Sequence, residues 1–220
     1  MKRILACMLI AVLLLTASCA AGGAESYQKY RYTFFGCFDT VIIFTAYAQD
    51  QAEFETYAKL VESEMTRYHQ IFDKYNAYEG VSNLYAVNQG AAEAPVAAAP
   101  ELIDLLVRVR EWREAYGGVL NPAMGAVLDL WHDAREDGTV LPDDAALKQA
   151  AEHMNYDQVI VDEEAGTVYF EDPGISLDVG AVAKGYAAEL TCETLRDNGL
   201  DSFLLNAGGN VVCGGKPLDG

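Results

Sequence analysis

Residues 176–189 read SLDVGAVAKGYAAE and pass from an apolar, strand-like segment through a glycine turn into a helical pattern. The pattern predicts a strand over residues 175–178, a helix over about residues 180–198 and a second strand over residues 203–205. A helix that starts after a glycine turn exposes unpaired N–H groups and the positive end of its dipole, which suits a phosphate or pyrophosphate. The sequence therefore predicts a β-α-β unit with an anion-facing turn.

Charged and small residues around this turn are the first candidates for chemistry. Asp178 can accept a hydrogen bond from a ligand, and Lys184, one turn into the helix, offers a cation. Residues 206–210, Asn-Ala-Gly-Gly-Asn, follow the next strand and lie at the same sheet edge if the two strands are parallel. Two alternatives stay open: Asp178 caps the helix, and the glycines serve a tight turn or close packing.

The rest of the chain interleaves helices with hairpins, which predicts a mixed α/β (α+β) fold. Runs of β-branched and aromatic residues predict strands, and apolar residues at every third or fourth position predict helices. Asn121-Pro122 is expected to begin a loop. The predicted elements are a strand within 33–48, helices at about 51–73, 100–117 and 143–153, and a hairpin of strands at 158–162 and 167–171.

Composition limits the class of protein and its partners. The 220 residues are 51% apolar and 22% charged, which is typical of one globular domain. The chain carries 33 Asp and Glu against 15 Lys and Arg, a net charge of -18. Such a charge repels a nucleic-acid backbone, so we expect no nucleic-acid partner. The sequence also contains no Walker phosphate loop and no Gly-x-Gly-x-x-Gly fingerprint.

The N-terminal residues have the pattern of a bacterial lipoprotein signal peptide. Lys2 and Arg3 precede the apolar run 4–15, which falls well short of the roughly 20 residues of a membrane-spanning helix. Small residues then lead into Cys19, whose lipidation would anchor an exported protein to the outer face of the bacterial cytoplasmic membrane. Simple secretion with an incidental cysteine is the alternative.

This pattern divides the chain into three parts. We predict a lipoprotein-type signal peptide at 1–19, a short tether at 20–32 and a single domain at 33–220.

Four blocks of sequence follow one another in a characteristic order. They are Phe38-Asp39-Thr40; residues 72–76 with 82–84 and Asn88; residues 121–125 with Leu130-Trp131; and residues 178–186 with 206–211. In order and spacing these blocks resemble the FAD:protein FMN transferase (ApbE) family. The resemblance covers most of residues 33–215 and implies an ApbE-like flavin transferase fold.

The resemblance implies a bacterial enzyme that binds FAD and a divalent cation, usually Mg²⁺. Such an enzyme transfers the FMN half of FAD to a threonine of an exported acceptor flavoprotein and releases AMP. The reaction suits a site whose side chains mainly position the reactants. Two alternatives stay open, namely an FAD pyrophosphatase of the same family and a lipid-anchored flavin-binding protein without catalysis.

The resemblance also implies positions of contact with the cofactor, although it assigns no catalytic side chain. Phe38 and Tyr75 would border the flavin or adenine, and both are also credible core residues. Asp178 and Lys184 would contact FAD, and Ala181 would offer its backbone carbonyl to the metal. A short FAD-contacting segment would comprise Val119, Leu120 and Asn121, where Asn replaces the family's usual Asp.

Further elements of the family are expected downstream of this sequence. They are a cofactor-contacting His-x-x-Asp-Pro element and an acidic residue, with a threonine four positions later, that help to hold Mg²⁺. Neither occurs before Gly220, so we expect the domain at 33–220 to be truncated at its C-terminus. The three histidines, His69, His132 and His153, are too dispersed for a ligand cluster and are expected at the surface or in helix packing.

Overall fold

The structure, a computed structural model, describes residues 27–138 and 141–218. The predicted signal peptide, Cys19 and residues 20–26 of the predicted tether lie outside these ranges. None of the helices in the described ranges has the length and apolar character required to span a bilayer.

Seven strands and six α-helices make up the described residues. In chain order they are β1 Gln28–Cys37, β2 Thr40–Ala48, α1 Gln51–Phe72, α2 Leu84–Gly90, β3 Val96–Ala97, α3 Pro100–Ala115, α4 Gly125–Asp137, α5 Asp144–Ala151, β4 Val159–Asp162, β5 Thr167–Phe170, α6 Gly180–Asp197, β6 Phe203–Ala207 and β7 Asn210–Gly214. Short 3₁₀ helices at Pro122–Met124 and Tyr156–Gln158 precede α4 and β4.

The strands form two antiparallel sheets, one of four strands in the order β1-β2-β6-β7 and one of three in the order β3-β5-β4. Alternate residues of β2, Ile42, Phe44 and Ala46, are fully buried, as expected for a strand with one face on a core. Helices α1 and α6 pack together, and the Thr191 hydroxyl of α6 contacts the sulfur of Met65 of α1 at 3.4 Å. The mixed α/β class is confirmed.

The long helices agree with the sequence-based expectations. The sequence predicted helices where α1, α3, α5 and α6 occur, and the hairpin of β4 and β5 also lies where it was expected. Asp50 caps α1 by accepting a hydrogen bond from the N–H of Glu53 at 2.9 Å. α1, α3 and α6 follow from local pattern because each carries several buried apolar residues at helical spacing.

The strand predicted within residues 33–48 is present as β2, but the prediction missed β1, which pairs with it in a hairpin. β1 and β2 join through a two-residue turn at Phe38 and Asp39, with φ angles of 54° and 49°. Non-glycine residues rarely adopt this left-handed conformation, so the local sequence gives little sign of the turn. β1 also begins at Gln28, which places residues 28–32 of the predicted tether in the sheet.

The strand predicted at 175–178 is wrong, because residues 175–179 belong to no strand and join neither sheet. β6 instead pairs antiparallel with β2 and β7, so α6 does not connect two parallel strands. The loop expected after Asn121 is a 3₁₀ turn that leads directly into α4. An apolar run shows that a segment is buried, but it does not show which partners its backbone finds.

Side chains and neighbouring turns supply the hydrogen-bond partners for the backbone of residues 175–179. Asn88 of α2 accepts from the N–H of Leu177 at 2.8 Å and donates to the carbonyl of Leu177 at 2.9 Å. The N–H of Gly125 donates to the backbone carbonyl of Ser176 at 2.9 Å, and the N–H of Asp178 donates to the backbone carbonyl of Pro122 at 2.8 Å. The segment is therefore held by α2 on one side and by the start of α4 on the other.

A substitution at Gly125 tests the close approach of α4 to Ser176, because a Cβ atom at Gly125 would overlap the backbone carbonyl of Ser176. We expect Gly125→Ala to lower the free energy of unfolding by about 1–3 kcal/mol in urea denaturation, as overpacking against backbone does. Gly185→Ala is the matched control, since its Cβ would meet only the movable side chain of Asn210 at 3.3 Å. Equal stability of the two variants would contradict the close approach.

Candidate functional site

A cleft of about 630 Å³, including space open to solvent, lies at the N-terminal end of α6. The tip of the β1–β2 hairpin, the end of α1 and the first turns of α6 form its walls. The lining residues are Phe38, Asp39, His69, Phe72, Asp73, Lys74, Tyr75, Leu84, Asp178, Val179, Gly180, Ala183 and Lys184.

A buried lysine lies at one side of the cleft. The Nζ of Lys74 is 2.8 Å from Oδ1 of Asp129 and 3.6 Å from Oδ2 of Asp178. It also lies 3.3 Å from the carbonyl oxygen of Gly125, and its side chain is only 6% exposed. The ammonium group is therefore neutralised inside the protein by oxygens from two other segments.

Asp178 lies between this lysine and the start of α6. Its Oδ1 accepts a hydrogen bond from the N–H of Gly180 at 2.8 Å, while its Oδ2 faces Lys74. The carboxylate thus makes the cap-like contact that the sequence left open, and it also lines the cleft. The N–H groups of Val182 and Ala183 both donate to the backbone carbonyl of Val179. The first turn of α6 therefore has fewer unpaired backbone N–H groups than its sequence suggested.

Asp73 organises the loop that follows α1. Its carboxylate accepts from the N–H of Tyr75 at 2.7 Å, from the side chain of Asn76 at 2.9 Å and from the hydroxyl of Tyr78 at 2.7 Å. Burial by itself raises the pKa of Asp73, but these hydrogen bonds outweigh it and the pKa lies below its ordinary value. Burial and the bond to Asp73 also raise the pKa of Tyr78 to about 12.

Aromatic rings also line the cleft. The ring of Phe38 meets that of His69 edge to face at a centroid distance of 5.4 Å, and the N–H of Phe38 donates to Nδ1 of His69 at 3.3 Å. Tyr75 stacks on His132 at 4.5 Å and stays 47% exposed. Both aromatic residues predicted as cofactor contacts therefore border the same cleft, where a planar ring system would find apolar surface.

The hairpin tip at Phe38 is supported by the neighbouring turn of β6 and β7. The N–H of Gly208 donates to the carbonyl of Val41 at 3.2 Å. With a φ of 59°, Gly208 approaches Thr40 so closely that a Cβ atom would overlap the threonine side chain. Residues 206–210 thus form a tight turn behind the hairpin tip and are absent from the lining of the cleft.

The other predicted site residues are placed differently. Lys184 lines the cleft and makes no ion pair within the described ranges. Ala181 is exposed in the first turn of α6, next to the lining residues. Val119 is 83% exposed, Leu120 packs against the core, and neither lines the cleft.

The side chain of Asn121 already has partners inside the protein. Its amide donates to the carbonyl of Met154 at 2.8 Å and accepts from the N–H of Ala123 at 3.1 Å. The structure therefore gives Asn121 a part in shaping the turn before α4, and it does not bring residues 119–121 to this cleft.

Several residues of the site were missed by sequence reasoning. Lys74, Asp73 and Asp129 form its charged part, and His69 contacts the hairpin tip instead of serving only the surface or helix packing. The one local signal was the charged pair Asp73-Lys74 directly after the apolar stripe of α1. Its burial depends on segments more than 50 residues away, so no local pattern reveals it.

Within residues 27–138 and 141–218, no group of three His, Cys, Asp or Glu side chains is placed to hold a metal ion. The carboxylates of Asp39, Asp73 and Asp178 line the cleft, and Ala181, whose carbonyl the resemblance assigns to the metal, lies beside them in the first turn of α6. They do not fit a metal site built from protein side chains alone. They fit an ion that shares its coordination with substrate phosphates, as Mg²⁺ often does.

Comparison with known families gives a single answer. The model of the ApbE family matches residues 38–220. The FAD:protein FMN transferase of Treponema pallidum is 37% identical over 139 residues, which are 60% of this chain and 38% of the relative. That of Klebsiella pneumoniae is 28% identical over 170 residues, or 77% of this chain and 51% of the relative. The chain thus spans about half the length, or less, of these curated relatives.

Solved structures share the fold. The flavin transferase ApbE of Vibrio cholerae superposes with a TM-score of 0.75 at 16% identity, covering 89% of this chain and 62% of the other. The ApbE protein of Thermotoga maritima gives a TM-score of 0.74 at 22% identity, covering 86% of this chain and 60% of the other. The predicted ApbE-like flavin transferase fold is confirmed.

Asp73 gives a pH-dependent prediction. Its folded pKa is depressed, so its contribution to stability is present above the unfolded value of about 3.9 and is lost as the pH falls through the folded pKa. We expect Asp73→Asn to cost about 1–3 kcal/mol of unfolding free energy at pH 7, because buried donors lose a charged acceptor.

Urea denaturation between pH 7 and pH 3 measures this effect. The gap in unfolding free energy between the wild type and Asp73→Asn should begin to narrow below the unfolded value of about pH 3.9 and should narrow further as the pH falls through the lower folded pKa. Asp133→Asn, at an exposed position of α4, is the control and should match the wild type. A gap that stays constant with pH would show that the charge of Asp73 does not stabilise the loop.

Proposed function

The chain belongs to the ApbE family, and on this premise we propose that it is an FAD:protein FMN transferase. It would transfer the FMN half of FAD to a threonine hydroxyl of an exported acceptor flavoprotein and release AMP. The observation that carries the proposal is the cleft at the start of α6, which combines aromatic walls with a cation free of ion pairs among the described residues, Lys184. FAD needs both features, because it joins a planar ring to a charged pyrophosphate.

The cleft offers separate surfaces to the two chemical parts of FAD. Phe38 and Tyr75 supply rings against which the isoalloxazine can pack. Lys184 and the dipole of α6 favour the negatively charged pyrophosphate at the other end of the cleft. Asp178 has a carboxylate oriented for an N–H or O–H of the ligand.

The transfer step is a displacement at the phosphorus of the FMN half. The threonine oxygen forms a bond to this phosphorus, the pyrophosphate P–O bond breaks, and AMP leaves with the electron pair. The threonine proton passes to a base, which the described residues do not assign. The enzyme's contribution is mainly to position the nucleophile and the leaving group.

We propose that the reaction also depends on Mg²⁺, which would neutralise pyrophosphate charge when bound. Among the described residues, the backbone carbonyl of Ala181 is the group of this chain that would face the ion. The side chains needed for a complete coordination shell are not assembled within the described ranges.

Incubation with FAD, Mg²⁺ and a threonine-bearing acceptor domain tests the proposed function. The expected product is a fluorescent covalent flavin adduct on the acceptor, with one AMP released per adduct. Free FMN with AMP but without labelling would indicate an FAD pyrophosphatase instead. Tight FAD retention without AMP, whether or not Mg²⁺ is present, would indicate a flavin-binding protein without catalysis.

Lys184→Gln sharpens this test. Loss of the cation should weaken FAD binding about tenfold and should reduce the salt dependence of binding, because one charge-assisted contact to phosphate is removed. Lys148→Gln, at an exposed position of α5, is the control and should bind FAD like the wild type. Equal affinities for the two variants would exclude Lys184 from the FAD site.

We further propose that the protein is exported and anchored at the outer face of the cytoplasmic membrane through lipidated Cys19. The support is the pattern of charged, apolar and small residues before Cys19, which lies outside the described residues. Because β1 begins at Gln28, the tether between anchor and sheet would comprise residues 20–27.

Substitution of Cys19 tests the anchor. Cys19→Ser should move the protein from the membrane fraction to the soluble exported fraction in a bacterial host that processes lipoproteins, because no acyl chain can be attached. Cys213→Ser is the control, since Cys213 is an exposed free cysteine within β7. An unchanged membrane fraction for Cys19→Ser would contradict the anchor.

A further inference from the structure

Lys74 joins three separate parts of the chain through its ammonium group. The lysine follows α1, Asp129 and Gly125 belong to α4, and Asp178 precedes α6. A lysine has three N–H donors, and here three oxygens surround it, at 2.8 Å, 3.3 Å and 3.6 Å. The ammonium group is therefore already occupied by the protein, and Lys184 remains for the phosphates of a ligand.

The burial of this group makes its partners necessary. An ammonium removed from water loses several kcal/mol of hydration, which only well-placed oxygens offset. Two carboxylates, those of Asp129 and Asp178, approach the same ammonium group. Without Lys74 the two carboxylates would lose the cation between them and would repel one another.

The orientation of Asp178 is consequently fixed from two sides. Its Oδ1 is bound by the N–H of Gly180 and its Oδ2 is attracted by Lys74. The hydroxyl of Ser176 donates to Oδ2 of Asp129 at 3.3 Å, which ties the same segment to α4 a second time. An ionised carboxylate has about four lone-pair positions, so acceptor capacity remains for a ligand in the cleft.

We propose that Lys74 is a positioning residue for FAD: it is a tethered cation that holds the carboxylate of Asp178 in the orientation that accepts a hydrogen bond from FAD. This inference rests on the proposed function, because it takes FAD as the ligand of the cleft. Lys74 acts through Asp178 and does not itself contact the cofactor.

A double-mutant cycle on FAD affinity separates this role from direct contact. The dissociation constant of FAD is measured by flavin fluorescence at fixed Mg²⁺ for the wild type, Lys74→Met, Asp178→Asn and the double variant. We expect each single variant to bind about tenfold more weakly, and the double variant to bind within about twofold of Asp178→Asn. Lys59→Met, at an exposed position of α1, is the control and should bind like the wild type.

Two results would overturn the inference. In the first, Lys74→Met binds FAD with wild-type affinity. In the second, the losses of the single variants multiply in the double variant, so that Lys74 acts independently of Asp178. If Lys74→Met does not fold, Lys74→Gln replaces it, because glutamine keeps an N–H donor while removing the charge.

The melting temperatures of the same four proteins measure the coupling between Lys74 and Asp178 without FAD. This measurement therefore does not depend on the proposed function. We expect a smaller loss of melting temperature from Lys74→Met in the Asp178→Asn background than in the wild type, because the lysine then has lost one of its two carboxylate partners and keeps only Asp129. Wild-type protein that binds no FAD would contradict the proposed function and the role toward FAD together. Additive melting shifts would instead contradict the coupling of Lys74 to Asp178, whatever the FAD result.

Discussion

Residues 175–179 bury Ile175, Leu177 and Val179 without belonging to a sheet, so their backbone N–H and carbonyl groups need other partners. The side chain of Asn88 makes hydrogen bonds to the backbone N–H and carbonyl of Leu177. The turn that contains Pro122 and Gly125 makes backbone hydrogen bonds to Ser176 and Asp178. These bonds fix α2, the start of α4 and the start of α6 relative to one another. The position of Asp178 in the cleft is a direct consequence.

The electrostatics of the cleft differ from those of the whole molecule. The chain carries a net charge of -18, which opposes the approach of an anionic ligand at long range. Salt screens exposed charges beyond about 8 Å at physiological ionic strength, so the groups inside the cleft decide binding. There Lys74 offsets the carboxylates around it, and Lys184 and the dipole of α6 remain for a ligand.

The hairpin tip is the strained part of the site. Phe38 and Asp39 both adopt positive φ angles, each of which costs on the order of 1–3 kcal/mol outside glycine. The bond from the N–H of Phe38 to His69 and the close support of Thr40 by Gly208 hold this conformation. Such strain persists where the surrounding structure over-determines it, and here it presents a ring and a carboxylate to the cleft.

The sequence by itself determined the long helices, the hairpin of β4 and β5, the family and the residues Phe38, Tyr75, Asp178 and Lys184 of the cleft, because apolar periodicity and ordered motifs are local signals. Only the tertiary structure decided that residues 175–179 lie outside both sheets and that residues 119–121 lie away from the cleft. It also decided that Lys74 is buried between Asp129 and Asp178. Backbone pairing and the neutralisation of a buried charge depend on partners distant in sequence, and no local pattern specifies them.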